Sequence, residues 1–477
     1  MSTPTSRRHF LRASAALAAA AGTGVQRFSA PFATSLAGMA ALAAQGSSAA
    51  NLSSPYKAVV CLFMNGGSDS HNWVVPTDAT GYAEYTAARR ELAWPAARLS
   101  PITVAGQAAG RSFGMPTELQ PLRKWYESGQ AAIVANVGPL VRPLTKADYA
   151  AGMDLPSKLF SHNDQASTWQ SLSPEGAASG WGGRMGDILM SANAYPVFTA
   201  ISATGNAVFL SGSNVTQYQI GTEGPLAVTG LTGTSYFGAS AAPAALRRTL
   251  AANGGSTLQT EYTRVMQRSI ETGALLQSAL SGVSVPAIPA TPIALGTGGS
   301  ITLDTDSLAR QLRIVAQLVG AGQALGMQRQ VFMVSMGGFD SHVNQMRDQP
   351  SQMARVAQSV DYFLSALSTL GLLNNVTLFT ASDFGRTLLS NGSGSDHGWG
   401  SHHFVAGGAV RGRQMYGRFP ATAIGSTDDI GSGRLLPAYS VGQMAAPIGR
   451  WLGLSASETA SVLPGLENFD AQALQFL

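Results

Sequence analysis

Five of the seven histidines of this 477-residue chain lie in four short polar loops, a concentration that structural need alone would not produce. Asn65 to Asn72 holds Ser68, Asp69 and His71; Gly337 to His342 holds Asp340 and His342; Ala381 to Arg386 holds Asp383. The fourth, from Ser395 to His403, holds Asp396, His397, His402 and His403. Imidazole with carboxylate is the ligand chemistry of zinc, manganese and iron, and carboxylate-rich sets suit magnesium or calcium. A divalent metal (zinc, manganese, magnesium or calcium) is therefore expected. Its candidate ligands are Asp69, Asp340, His342, Asp383, Asp396 and His397. Ser68 is a candidate nucleophile, because a bound metal lowers the pKa of an alcohol. Arg386 is a candidate to hold an anion. His71, His402, and the His162 and Asp164 of Ser161-His162-Asn163-Asp164 are further candidates for the same pocket. Each residue also has a plainer use. Asp340 and His342 can bond the backbone of their own turn, Asp383 can cap a helix or pair with Arg386, and Ser68 and Asp69 can be satisfied turn residues.

These loops need a scaffold, and the apolar pattern supplies one. Lys57 to Met64, Ala131 to Val137, Gln330 to Met336 and Val376 to Ala381 are short apolar runs that read as buried strands. Helical spacing covers Pro116 to Gly129, Ser307 to Leu325, Met353 to Leu370 and a packing helix beyond Leu435. Alternation of this kind predicts an α/β fold, a largely parallel sheet sandwiched by helices. Ligands in such sheets collect at the carboxyl ends of the strands, where the Asp- and His-bearing loops follow. Residues 55–190 read as the first part of the core and 301–477 as the second. Between them, 191–300 turns to Gly, Ser, Thr, Ala and Pro and reads as an inserted subdomain or lid with one helical run around Leu258 to Leu280.

Residues 1–43 read as a twin-arginine signal peptide: Arg7 and Arg8 lead into His9, Phe10, Leu11 and Arg12, then the short apolar run from Ala13 to Gly22. That run is shorter than the roughly 20 residues a spanning helix needs. The whole formal surplus of +4 sits in this leader, on Arg7, Arg8, Arg12 and Arg27, so the pI of about 9.2 is no sign of nucleic-acid binding. The remaining chain is formally neutral. It is expected to pass the twin-arginine translocase and to be periplasmic or secreted, with no permanent membrane anchor. Cys61, the single cysteine, lies in an apolar run and is expected to be buried.

In order, Leu62-Phe63-Met64-Asn65-Gly66-Gly67-Ser68-Asp69, Ser161-His162-Asn163-Asp164, Gly337-Gly338-Phe339-Asp340-Ser341-His342, Ser382-Asp383-Phe384-Gly385-Arg386 and Asp396-His397-Gly398 resemble a bacterial family of twin-arginine exported proteins, domain of unknown function 1501. The resemblance implies kinship with the alkaline phosphatase and sulfatase superfamily, an alkaline phosphatase-like sheet with Asp and His metal ligands at strand ends. By that likeness Asp69 stands near the first-strand ligand and Ser68 near the nucleophile. Asp340 and His342 stand for the Asp-and-His pair after a middle strand, Asp383 for the next pair, and His397 for the last histidine. Phe384 stands where the superfamily has histidine, Asp340 and His342 are closer together than usual, and the Gly66 to Asp69 turn differs, so one metal site rather than two is expected. The implied activity is hydrolysis of a phosphate or sulfate ester. The alternative is a non-catalytic envelope protein that binds a polysaccharide or a partner in the same pocket. The ligand is accordingly an anionic ester or a polysaccharide.

The paired substitution Arg7→Lys and Arg8→Lys is expected to leave the protein unprocessed in the cytoplasm, read by cell fractionation and immunoblotting; export at the unsubstituted level would refute the leader.

Overall fold

In the computed structural model, residues 55–226, 230–231, 234–252 and 256–477 are described; the leader lies outside them. Lys57–Met64 forms strand β1. Because side chains alternate across a strand, Val60 and Leu62 enter one hydrophobic core and Val59, Cys61 and Phe63 enter the other. Burial on both faces explains the unbroken apolar run and is typical of a central parallel strand. Cys61 is buried and unpaired, and burial raises its thiol pKa.

The other strands that matter are β2 (Ala131–Gly138), β3 (Ala200–Ser202), β4 (Tyr218–Gly221), β5 (Arg329–Met336), β6 (Val376–Ser382), the hairpin β7 (Arg386–Ser390) with β8 (Ser395–His397), and β9 (Ser401–Ala406). The central sheet runs β2, β9, β6, β1, β5, β3, β4, with short strands at its margins. β1 is parallel to both β5 and β6, and β3 and β4 continue in parallel, whereas β9 is antiparallel to β6 and β2. The sheet is thus mixed and mostly parallel. Eight helices carry the account below: α1 (Ala79–Arg89), α2 (Gln120–Glu127), α3 (His162–Ser171), α4 (Trp181–Leu189), α5 (Thr257–Ser281), α6 (Ser307–Ala321), α7 (Gln345–Thr369) and α8 (Val441–Leu452). Side chains of α2, α6 and α7 fill the first core, and those of α4 and α8 the second.

Three elements differ from the sequence expectation. Helix α7 starts at Gln345 rather than Met353; Pro350, a residue that ordinarily ends a helix, lies inside it and hides the earlier start in the sequence. Residues 191–300 do not stand wholly apart: β3 pairs with β5 and β4 with β3, so the central sheet runs into this segment before α5. Ser401 to Ala406, expected to continue a loop, is the buried strand β9.

The loop after β1 is tied down by a buried carboxylate. Asp69, 2 % exposed, accepts from the His71 backbone N–H through Oδ1 at 3.1 Å, and through Oδ2 from Arg89 at the end of α1 and Gln345 at the start of α7. Gln349 of α7 donates to the Asp69 carbonyl at 3.0 Å, and Ser395 of β8 donates to Gln345 at 2.7 Å. Arg89 also donates to the Thr387 carbonyl of β7 at 3.2 Å. Removing one member of a buried ion pair costs about 3–5 kcal/mol, because the other charge is left alone in the interior. Asp69→Ala should lower unfolding stability by that amount in urea titrations, whereas Asp69→Leu combined with Arg89→Met should recover much of it; equal stability of Asp69→Ala and wild type would sink this role.

Candidate functional site

β1, β5 and β6 end in register, Met64 opposite both Met336 and Ser382, so the loops that follow emerge side by side. The Asn65 N–H donates to the Met336 carbonyl at 2.9 Å, and the Phe339 N–H donates to the Asn65 carbonyl at 3.2 Å. Two glycines permit this approach. Gly66 has φ +116°, and a Cβ there would lie 2.5 Å from the Asp340 backbone nitrogen; Gly67, at φ +80°, lies against the Phe384 ring. The β7–β8 hairpin sets Arg386 opposite His397 across its strands. His162 opens α3.

These elements bring together His162, Asp340, His342, Asp383, Asp396 and His397. His162 Nδ1 lies 2.7 Å from Asp383 Oδ2, His342 Nδ1 3.2 Å from Asp396 Oδ1, and His397 Nδ1 2.8 Å from the Phe160 carbonyl. A carbonyl and an ionised carboxylate only accept, so each Nδ1 carries a proton, which leaves Nε2 as the ring nitrogen that can present a lone pair whenever the ring is neutral. All three Nε2 atoms face Asp340: His342 at 3.1 Å and His397 at 3.4 Å from Oδ1, His162 at 3.6 Å from Oδ2. His342 Nε2 and His397 Nε2 are 2.9 Å apart. Two lone pairs at that distance repel unless a cation or a proton lies between them. His162, Asp340 and His397 each offer one ligand atom within 4.8 Å of the others, a set able to hold a metal ion. Phe384 forms an apolar wall, its ring centroid 4.5 Å from that of His397 and 4.8 Å from that of His162.

Arg386 is fully buried and its fork is occupied. Nη1 donates to Asp340 Oδ1 at 2.7 Å and to the Gly66 carbonyl at 3.2 Å, and Nη2 donates to the Ser395 carbonyl. Burial opposes charge on Asp340, yet the Arg386 hydrogen bond and charge, with His342 and His162, hold its carboxyl below the usual range. Burial opposes charge on Asp396 as well, and hydrogen bonds from Asn391 and His342 outweigh it. His397 is pushed down by burial, against the pull of the Phe160 carbonyl. The cluster is open to solvent, with the Asp340 side chain 46 % exposed and that of His397 24 %.

The remaining sequence candidates lie in other surroundings. Asp69 is held by Arg89 and Gln345, as described. Ser68 donates its backbone N–H to Ser382 Oγ at 2.8 Å, and its buried hydroxyl has no hydrogen-bond partner among the described residues. His71 is buried, its Nε2 3.0 Å from the Arg386 carbonyl. Asp164 accepts from Ser161 Oγ at 2.9 Å and lies 3.5 Å from Lys158 Nζ. His402 accepts the Asn136 N–H at 3.0 Å within β9 and stacks on Phe419. His403, also in β9, packs against Trp169. Sequence reading missed Phe160 and Arg434. Arg434 Nε donates to the His397 carbonyl at 3.0 Å, and its guanidinium lies 5.2 Å over the Phe160 ring. Neither a lone Phe before a helix nor an Arg in a Gly-Ser-Gly turn advertises such a role.

Fold and site together define an α/β protein with an imidazole–carboxylate cluster at the carboxyl ends of its parallel strands. The chain belongs to the family described as Protein of unknown function (DUF1501), whose model matches residues 56–462. A twin-arginine translocation signal matches residues 4–24, and among the described residues no helix is long and apolar enough to cross a membrane. The protein is exported, periplasmic or secreted. No curated protein matches the sequence. Among solved structures it is similar to a protein of Bacteroides thetaiotaomicron glycosaminoglycan metabolism, at 12 % identity over 86 % of this chain and 75 % of that one, TM-score 0.35. It is similar to the PsFucS1 sulfatase from Pseudoalteromonas sp. at 11 % identity, over 89 % and 73 %, TM-score 0.33. A TAB5 alkaline phosphatase mutant with bound Mg shares 8 % identity over 74 % and 91 %, TM-score 0.25.

Three buried histidines give the protein a pH limit. Burial lowers His71 to about 4 and His403 to about 3, and lowers His402 as well. Unfolded, each titrates near 6.5. The unfolded chain therefore binds more protons below that pH, so this stability is complete above about pH 6.5 and falls by about 1.4 kcal/mol per pH unit per group on acidification. In chelator, the urea midpoint should drop steeply from pH 7 to pH 5, and less steeply in His403→Gln; a flat midpoint would contradict the neutral buried state.

Proposed function

We propose that this exported protein is a metal-dependent hydrolase of an anionic ester, a phosphate or sulfate ester. One observation carries the reading: three imidazoles, each fixed at Nδ1 by an acceptor-only partner, turn their Nε2 atoms toward one carboxylate. Histidine ligands are usually oriented in this way by a second partner on the far nitrogen. His162, Asp340, His342 and His397 would hold the ion, and an imidazole-rich set favours zinc or iron over magnesium, manganese or calcium. A bound divalent ion supplies Lewis acidity toward an ester oxygen. Asp383, Asp396 and the Phe160 carbonyl set the three rings, and Arg386 keeps Asp340 ionised and in place. Phe384 excludes water from one side of the cluster.

A binding protein for an anionic polysaccharide is the second reading. It is favoured by the buried, partnerless Ser68 hydroxyl and by an Arg386 whose Nη donors are already engaged.

Elemental analysis of the exported protein, purified without chelator, should find near-stoichiometric zinc or iron, lost in Asp340→Ala and His397→Ala. Asp383→Asn should weaken metal binding about 10–100-fold, the usual effect of removing such an orienting partner. Chromogenic phosphate and sulfate esters should be hydrolysed by the wild type and not by the two Ala variants. Metal-loaded protein silent on all esters would leave the binding reading; no metal in the wild type would overturn both roles for the cluster as a metal centre.

A further inference from the structure

The geometry points to Arg434 as the residue that grips an anionic oxygen of the ligand at this site, an inference that rests on the metal-centre reading above. The sequence offers Arg386 for that task, but the Arg386 side chain is fully buried and its fork is spent on Asp340 and two backbone carbonyls. Arg434 is differently placed. Its Nε donates to the carbonyl of His397 at 3.0 Å, and its guanidinium carbon lies 5.2 Å from the centre of the Phe160 ring. The carbonyl of the same Phe160 accepts from His397 Nδ1 at 2.8 Å. Arg434, Phe160 and His397 therefore form a closed triangle of contacts, and a cation–ring contact with one hydrogen bond restrains the direction of the planar fork.

What that fork retains is the basis of the inference. Among the described residues, the Arg434 side chain beyond Nε makes only a long 3.5 Å contact from Nη1 to the Gly431 carbonyl, and it has no carboxylate partner. Two other cations have carboxylate partners: Lys158 lies 3.5 Å from Asp164, and Arg142 pairs with Asp148 and Asp154. Charge leads to the same residue. Asp340, Asp383 and Asp396 crowd the cluster, and Arg386 with a divalent ion does no more than neutralise them. An incoming anion finds its surplus positive charge at Arg434. A guanidinium presents two parallel N–H groups that suit phosphate and sulfate oxygens, a shape match an ammonium lacks.

Inorganic phosphate and inorganic sulfate are the probes. Binding of each to metal-loaded mature protein is measured by calorimetry for wild type, Arg434→Met, which keeps an apolar stem over Phe160, and Arg434→Lys, with metal content measured on the same samples. The expected result is unchanged metal content, a Kd for the probe at least tenfold weaker in Arg434→Met, and a smaller loss in Arg434→Lys. If an ester is hydrolysed, KM should rise about as much as Kd while kcat changes little. Wild-type affinity for the anion in Arg434→Met, with metal retained, overturns the assignment to Arg434 and leaves the metal centre standing. Loss of metal in Arg434→Met also overturns it, because Arg434 then acts by placing His397. A wild type without metal removes the underlying reading, and the inference falls with it.

Discussion

A negative charge enclosed in protein has to be answered where it lies, and at Asp69 the answer comes from three directions. Arg89 ends one helix, Gln345 begins another, and the His71 N–H belongs to the loop itself, while Ser395 of the hairpin steadies Gln345. The loop leaving β1 cannot shift without breaking this set. The position of Gly66 follows, and with it the close approach to Asp340. The cost of isolating either charge makes the arrangement close to all-or-none. The surface cluster is exposed, and exposed ionic contacts contribute little rigidity of their own; its precision is inherited from the buried layer beneath.

The site has two tiers. The upper tier is made of the groups that meet at its centre: Asp340 and the Nε2 edges of three imidazoles. The lower tier consists of Asp383, Asp396, the Phe160 carbonyl and Arg386, each of which fixes a group above it. Neutral histidines deeper in the protein serve packing. His402 and His403 sit in β9 because a small polar ring fits beside Phe419 and Trp169, and burial keeps both uncharged.

Much of the scaffold was legible because burial on both faces forces an unbroken apolar run; β1, β2, β5 and β6 show it plainly. The polar turns after β1, β5 and β6 were legible for the related reason that Gly, Ser and Asp gather where a chain reverses. Pairings were not legible. Nothing in the order of residues says that Asp383 faces His162 or that Asp69 faces Arg89, because those meetings are made by the packing of α1 and α3 against the sheet. Pro350 concealed the start of α7, and the antiparallel β9 passed for loop because Ser401-His402-His403 is polar while its surroundings are not. Arg386 looked available for a ligand; which way its fork turns is settled by the β7–β8 hairpin, a tertiary fact.

Separation along the chain has a consequence of its own. Phe160 and His397 are 237 residues apart, and the three imidazoles come from elements on both sides of the central segment. No amino-terminal fragment ending before His397 can contain the cluster, however well its own strands pair. The site is among the last things a nascent chain can assemble, since contacts of such range pay their loop-closure entropy before they return anything. Whatever accepts only a finished fold for passage out of the cell thereby accepts only molecules whose cluster is already complete.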